Sequence, residues 1–262
     1  MHEIADIACN FTSERFDNDL GKVVDKAVAN KISKFGLICS RLSDIDKLLG
    51  IYNQYSSNMF FTIGVHPHHA NEINDEYLIK LKEIINKNEP HAIGETGLDF
   101  FRNLSTYEEQ VFAFEEQIKI SIDTNKPLFL HQRDSHDDFI KILRKYSADF
   151  NKAVVHCFTG TQKQLDDYLE LDCYIGVTGW ICDEKRNVEL RKTIKNIPLS
   201  KLMIETDCPY LIPKNLQEKP KNNRNEPCNL NHIVAEISAL MNIDENILRK
   251  ETFENTKSIF GN

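Results

Sequence analysis

The sequence predicts a single (β/α)8 barrel, an α/β fold with parallel strands inside and helices outside. Three observations predict it. Eight short apolar runs, mostly β-branched or aromatic and bounded by Gly, Pro or polar residues, recur along the 262 residues. Amphipathic segments lie between them, and strand starts fall about thirty residues apart, the size of one strand–helix unit. Side chains able to bind metals or move protons follow five of the runs, and in such a barrel the strand ends share one face.

In chain order, the strands are expected at 4–11, 35–40, 60–65, 91–95, 127–131, 153–158, 173–177 and 202–205. Helical patterns occupy 20–33, 45–55, 75–87, 107–123, 136–146, 162–171 and 188–196. The fourth is the clearest, with Val111, Phe114, Ile118 and Ile122 at helical spacing. A doubly wound open sheet is the competing architecture, but it usually carries a glycine-rich turn after its first strand. Here that stretch is Cys9-Asn10-Phe11-Thr12-Ser13, without glycine. Beyond Pro213 the rhythm breaks into a polar loop, 214–227, and a helical tail at 229–241 and 245–260. With no linker and no low-complexity tract, 1–262 is expected to form one domain.

Forty acidic residues against 32 basic ones give a net charge of −8, which argues against coating nucleic acid by bulk electrostatics. It leaves room for an enzyme that grips a strand end locally. Hydrophobic content of 41% suffices for a sizeable core. No apolar run approaches the ~18–20 residues needed to cross a bilayer. The start, Met1-His2-Glu3-Ile4-Ala5-Asp6, has neither the basic nor the apolar region of a secretory leader. The seven cysteines form no CxxC pair, so reduced thiols in a cytoplasmic protein are expected. A barrel without an obvious apolar outer face is expected to be a monomer with no stable protein partner.

The strand ends carry the chemistry. The third run leads into His66-Pro67-His68-His69, the fourth into Gly94-Glu95-Thr96-Gly97-Leu98-Asp99 and the fifth into His131-Gln132-Arg133-Asp134. The sixth leads into His156-Cys157-Phe158-Thr159-Gly160 and the eighth into Glu205-Thr206-Asp207-Cys208-Pro209. A lone His or acid after a strand is usually a satisfied core residue or a rim charge. Five at one end of a barrel form a donor set for a divalent ion, imidazole with carboxylate suiting zinc or manganese and carboxylate with water suiting magnesium.

These stretches carry a resemblance. IGETGLDF at 93–100, FLHQRD at 129–134, HCFTG at 156–160 and ETDCPYLIP at 205–213 resemble the TatD family of metal-dependent deoxyribonucleases, within the amidohydrolase-like superfamily. GVHPH at 64–68 and RNEP at 224–227 fit family positions, and TGWICDEKR at 178–186 resembles the branch that bears the family's name. By resemblance, Glu95, His131, His156 and Asp207 are the metal ligands, and Asp207 is the general base. Glu205 would orient the water or meet a second metal. His66 and His68 would contact phosphate or serve the leaving group, and Arg133 and Arg224 would clamp phosphates.

The first strand departs from the family. Most members end it in His-x-His, whereas this chain has Ala8 and Asn10 there, a loss the resemblance places in the same branch. Alanine cannot ligate and an amide oxygen replaces imidazole poorly. One tight metal site with a weaker second position is therefore expected, magnesium being the working ion and manganese or zinc the alternatives.

The resemblance implies a 3′-to-5′ exonuclease acting on an end of single-stranded DNA, with RNA as a further substrate and a role in DNA repair or degradation. Lys214, Lys219 and Lys221 make the 214–227 loop the most basic stretch, a narrow funnel suited to one strand. Phe100, Phe101 and Trp180 follow strand ends and are placed either to stack on bases or to pack at the rim. Two other readings stay open: a metal-dependent esterase or deacylase on small molecules or aminoacyl-tRNA, and a non-catalytic binding barrel. An ester hydrolase should tolerate loss of Arg224 and the loop lysines, whereas a nuclease should not.

Overall fold

The computed structural model describes residues 2–220 and 222–261. All eight expected strands form: β1 (Ile4–Cys9), β2 (Ile32–Leu37), β3 (Met59–Ile63), β4 (Ala92–Asp99), β5 (Leu128–Arg133), β6 (Ala153–Val155), β7 (Tyr174–Val177) and β8 (Leu202–Ile204). They pair in sequence order and every pairing is parallel. The seam between β1 and β8 closes through a bridge between Cys9 and Cys208. There the Asn10 N–H donates to Cys208 O at 2.8 Å, and the Thr206 N–H to the Asp6 carboxylate at 2.8 Å.

Helices α1 (Leu20–Ala29), α2 (Ile45–Gln54), α3 (Asp75–Asn88), α4 (Tyr107–Thr124), α5 (His136–Lys145), α6 (Gln162–Glu170) and α7 (Val188–Thr193) alternate with the strands. Local chemistry fixes their starts. Thr106 with Glu109, and Thr161 with Gln164, form reciprocal capping boxes on α4 and α6. The Asn74 side chain accepts from the Tyr77 N–H and caps α3. The tail forms α8 (Leu230–Met241) and α9 (Glu245–Phe260).

Most boundaries differ from the expected ones by a few residues. The large difference is β4, which runs on to Asp99 instead of stopping at Glu95. Glycine allows this. Gly94 and Gly97 adopt φ of +148° and +147°, and a Cβ on either would lie 2.3 Å from Phe129 O or 1.9 Å from His131 O. The register shifts between Ile93 and Thr96, so Glu95 sits on a bulge that aims its side chain away from the regular pleat.

Apolar residues sort into two layers. The larger lies between strands and helices, and the smaller, with Ile7, Phe60, Phe129, Val154 and Met203, fills the barrel. The Phe260 ring stacks on Phe60 with centroids 4.3 Å apart and lies 6.4 Å from Phe129. Both partners are second residues of their strands, so the end of α9 plugs the N-terminal face. The opposite mouth carries the polar side chains. No helix among the described residues is long and apolar enough to cross a membrane.

Candidate active site

The bulge on β4 places Glu95 at the centre of the mouth. Its Oε1 lies 2.7 Å from His156 Nε2, 2.9 Å from His131 Nδ1 and 3.4 Å from His66 Nε2. Glu95 lies within β4 and His131 within β5, His156 directly follows β6 and His66 follows β3, so all four gather at the mouth where a barrel carries its chemistry. Burial pushes the Glu95 carboxyl up, but the facing imidazoles His156, His66 and His131 overcome it and hold the group well below the usual carboxylate range. Burial pulls the imidazoles down. For His156 the carboxylates Glu95 and Glu205 outweigh this, for His131 Asp99 and Glu95 do, and both rings are pushed up.

His66 behaves differently. Burial drops its pKa to about 4, so the ring is neutral near pH 7. Its Nδ1 accepts from the His68 N–H at 3.1 Å. That contact assigns the ring proton to Nε2, the atom facing Glu95. His66 therefore presents an N–H donor to the mouth.

Glu205 is fully buried, and its location corrects the expectation that it reaches the water or a second metal. Its Oε1 accepts from the Cys157 N–H at 2.5 Å, and its Oε2 faces His156 Nδ1 at 3.5 Å. The carboxylate stands behind the imidazole and orients it. Asp207, in a left-handed conformation with φ 54°, accepts from the Asn10 side-chain amide at 2.9 Å. Burial, together with the charges of Glu95 and Glu205, pushes its carboxyl up to about 7.

Asp99 was not singled out in the sequence as a site residue. Its Oδ2 lies 2.8 Å from His68 Nε2 and 3.3 Å from His131 Nε2, so it ties two mouth imidazoles together. The signal was present as the last residue of GETGLD, four positions after Glu95. It became readable only once β4 was known to continue past the bulge.

The two arginines separate. Arg133 is exposed at the end of β5, with its guanidinium 4.0 Å above the Phe101 ring and no carboxylate partner among the described residues. Arg224 does not fit the phosphate clamp expected of it. It is buried, and its amino groups donate to Asp19 at 2.7 and 2.8 Å and to Glu226 at 2.8 Å. The guanidinium is spent on pinning the 214–227 loop to the start of α1. Lys214 and Lys219 are exposed, and Lys221 lies outside the described residues.

The residues fit a divalent cation. His66, Glu95 and His131 have potential donor atoms all within 4.8 Å of one another, and His156 Nε2 approaches Glu95 and His131 at 2.7 and 3.4 Å. His156 Nδ1 and Glu205 Oε2 are buried without a hydrogen-bond partner. Imidazole nitrogens and a carboxylate oxygen gathered this closely match the donor chemistry of a divalent cation, which would take the place of the ring protons.

Comparison with known proteins agrees with this geometry. The profile of the family described as TatD related DNase matches residues 5–261. A 3′-5′ ssDNA/RNA exonuclease TatD from Edwardsiella piscicida is 40% identical over 255 residues, covering 97% of this chain and 98% of the relative. The protein of the same name from Erwinia amylovora is 40% identical over 256 residues, covering 98% and 99%. A crystal structure of a TatD family hydrolase from Entamoeba histolytica superposes with a TM-score of 0.89 at 29% identity, covering 99% of this chain and 98% of that one. Barrel, strand-end site and full-length similarity together establish that the chain belongs to the TatD related DNase family of metal-dependent hydrolases.

Proposed function

We propose that this chain is a 3′-to-5′ exonuclease that hydrolyses phosphodiester bonds at the end of single-stranded DNA, with RNA as a second substrate. The observation that carries the reading is the cluster centred on Glu95 Oε1, within 3.4 Å of three imidazole nitrogens at the barrel mouth. The names of the 40% identical relatives support the polarity and the single-stranded substrate.

Glu95, His131, His156 and Asp207 are the proposed ligands of one tightly held divalent ion. Bound there, such an ion would polarise a phosphoryl oxygen and acidify a water. Magnesium is our working ion, although the imidazole-rich donors suit manganese or zinc at least as well. Asp207, steadied at Oδ1 by Asn10, offers its other oxygen to the proton of the attacking water. His66 donates from Nε2 to a phosphate oxygen; a neutral imidazole serves as a hydrogen-bond donor better than as an acid. His68, held by Asp99, flanks this position, and Arg133 is free for the next phosphate along the strand. We place the enzyme in the cytoplasm, a reading its seven free cysteines support, and assign it as a single-domain monomer that trims or degrades damaged DNA.

The test is hydrolysis of end-labelled single-stranded DNA by metal-stripped protein, with magnesium, manganese or zinc added back. A ladder that shortens from the 3′ end, and only with metal, is expected. Absence of cleavage of DNA and RNA with every metal overturns the reading and moves ester and aminoacyl substrates to the front.

A further inference from the structure

A cavity of about 310 Å³ opens beside the Asp207 segment, between the loops that follow β7 and β8. Its walls include Trp180, Tyr210, Arg15, Arg186, Lys214 and Asp183. The volume sits at the small end of ligand sites, enough for one nucleotide unit and too little for a duplex. Tyr210 is 53% exposed and Trp180 is half-buried.

The charges around these rings are unbalanced. Arg15 donates only to backbone carbonyls, those of Pro209, Asn222 and Asn223. Among the described residues neither Arg15 nor Lys214 has a carboxylate partner, and Arg186 reaches only Asp183, at 3.9 Å. The Asp183 carboxylate is itself occupied by the N–H groups of Lys185 and Arg186. On a chain of net charge −8, uncompensated cations beside exposed aromatic faces mark a place for anions carrying π-faces.

The cavity adjoins the segment that carries Asp207, because Tyr210 lines it three residues farther along the chain. The Tyr210 N–H donates to Asp207 O at 2.9 Å.

We propose that this cavity is a nucleotide subsite, in which Trp180 and Tyr210 supply stacking faces for one base of the single strand while Arg15, Arg186 and Lys214 hold its phosphates. The proposal rests on the single-strand reading above and names where the strand sits. It also explains sequence tolerance, since every base has a π-face.

Trp180 is the chain's one tryptophan, so its emission reports on this cavity without relying on turnover. A phosphorothioate-linked hexathymidylate, which resists cleavage, is titrated into the full-length, magnesium-loaded protein. Saturable quenching is expected. Tyr210→Ala should weaken it about tenfold, at the lower end of what base–aromatic stacking contributes, and Tyr210→Phe should restore it. Lys214→Ala should weaken it and lower the salt dependence by about one ion. Inorganic phosphate alone should leave the emission unchanged; equal quenching by phosphate overturns the proposal in favour of a simple anion site. Degradation of ordinary single-stranded DNA with a silent Trp180 and an unchanged KM in Tyr210→Ala also overturns it, while the exonuclease reading survives. Quenching without degradation supports the subsite and removes the exonuclease.

Discussion

Across the barrel seam, the Asn10 side-chain amide donates to Asp207 Oδ1 at 2.9 Å and to Cys208 O at 3.2 Å. By the resemblance of the sequence, Asn10 stands where a second histidine is expected at the end of the first strand. Its amide instead holds the proposed base. Asn10→Ala frees the Asp207 carboxylate to rotate and should lower kcat about 10- to 100-fold. KM should stay near that of the parent while metal affinity falls together with kcat, as steady-state kinetics and a metal titration would read. Asn10→Asp should cost more, because it sets a second carboxylate against Asp207.

Arg224 makes the opposite prediction. With both amino groups committed to Asp19 and Glu226, Arg224→Ala removes charged hydrogen bonds worth about 2–3 kcal/mol. For a chain of this size the melting midpoint should fall by roughly 5–10 °C. KM for single-stranded DNA, measured well below that midpoint, should change little. A large KM increase with an unchanged melting curve would restore the phosphate clamp. Discrimination of a nuclease from an ester hydrolase therefore passes from Arg224 to Arg133 and Lys214.

Metal affinity should depend on pH above the ordinary imidazole range. His131 and His156 are both pushed up in the metal-free protein, and a ligand must lose its proton to bind. Affinity should rise as pH climbs through and beyond 6.5, and binding at pH 7 should release protons. Calorimetry in two buffers of different ionisation enthalpy counts them; a count of zero would contradict the assignment. In Glu95→Gln the imidazoles lose their counter-charge, so proton release, affinity and turnover should all fall.

Asp6 links stability to pH. It is fully buried on β1, accepts from the Thr206 N–H and hydroxyl, and burial raises its pKa from 3.8 to about 7. The folded state thus holds a proton that the unfolded chain has already released between about pH 4 and pH 7. The contribution is fully present below 3.8 and lost as pH rises through about 7, of the order of a few kcal/mol. Asp6→Asn cannot titrate, so its stability relative to the parent should improve steadily from pH 4 to pH 7 in urea unfolding curves. A constant difference across that range would place the Asp6 pKa near its ordinary value.

Much of the molecule was legible in one dimension because its signals are periodic or local. Strand–helix alternation gave all eight strands in order, and the proposed ligands lay at or near the expected strand ends. The tertiary structure decided what local signals do not encode. Glu95 reaches the centre because Gly94 and Gly97 let β4 bulge against β5 and continue to Asp99, a backbone approach set by neighbouring strands. Glu205 and Asp207, two residues apart, part company: one turns behind His156 and the other meets Asn10 from the far end of the chain. Arg224 reads like an anion clamp until Asp19, 205 positions away, takes its charge. The sequence by itself determined which chemical groups stand at the mouth of the barrel. Only the fold decided which of them face one another, because pairing depends on distances between strands rather than along them.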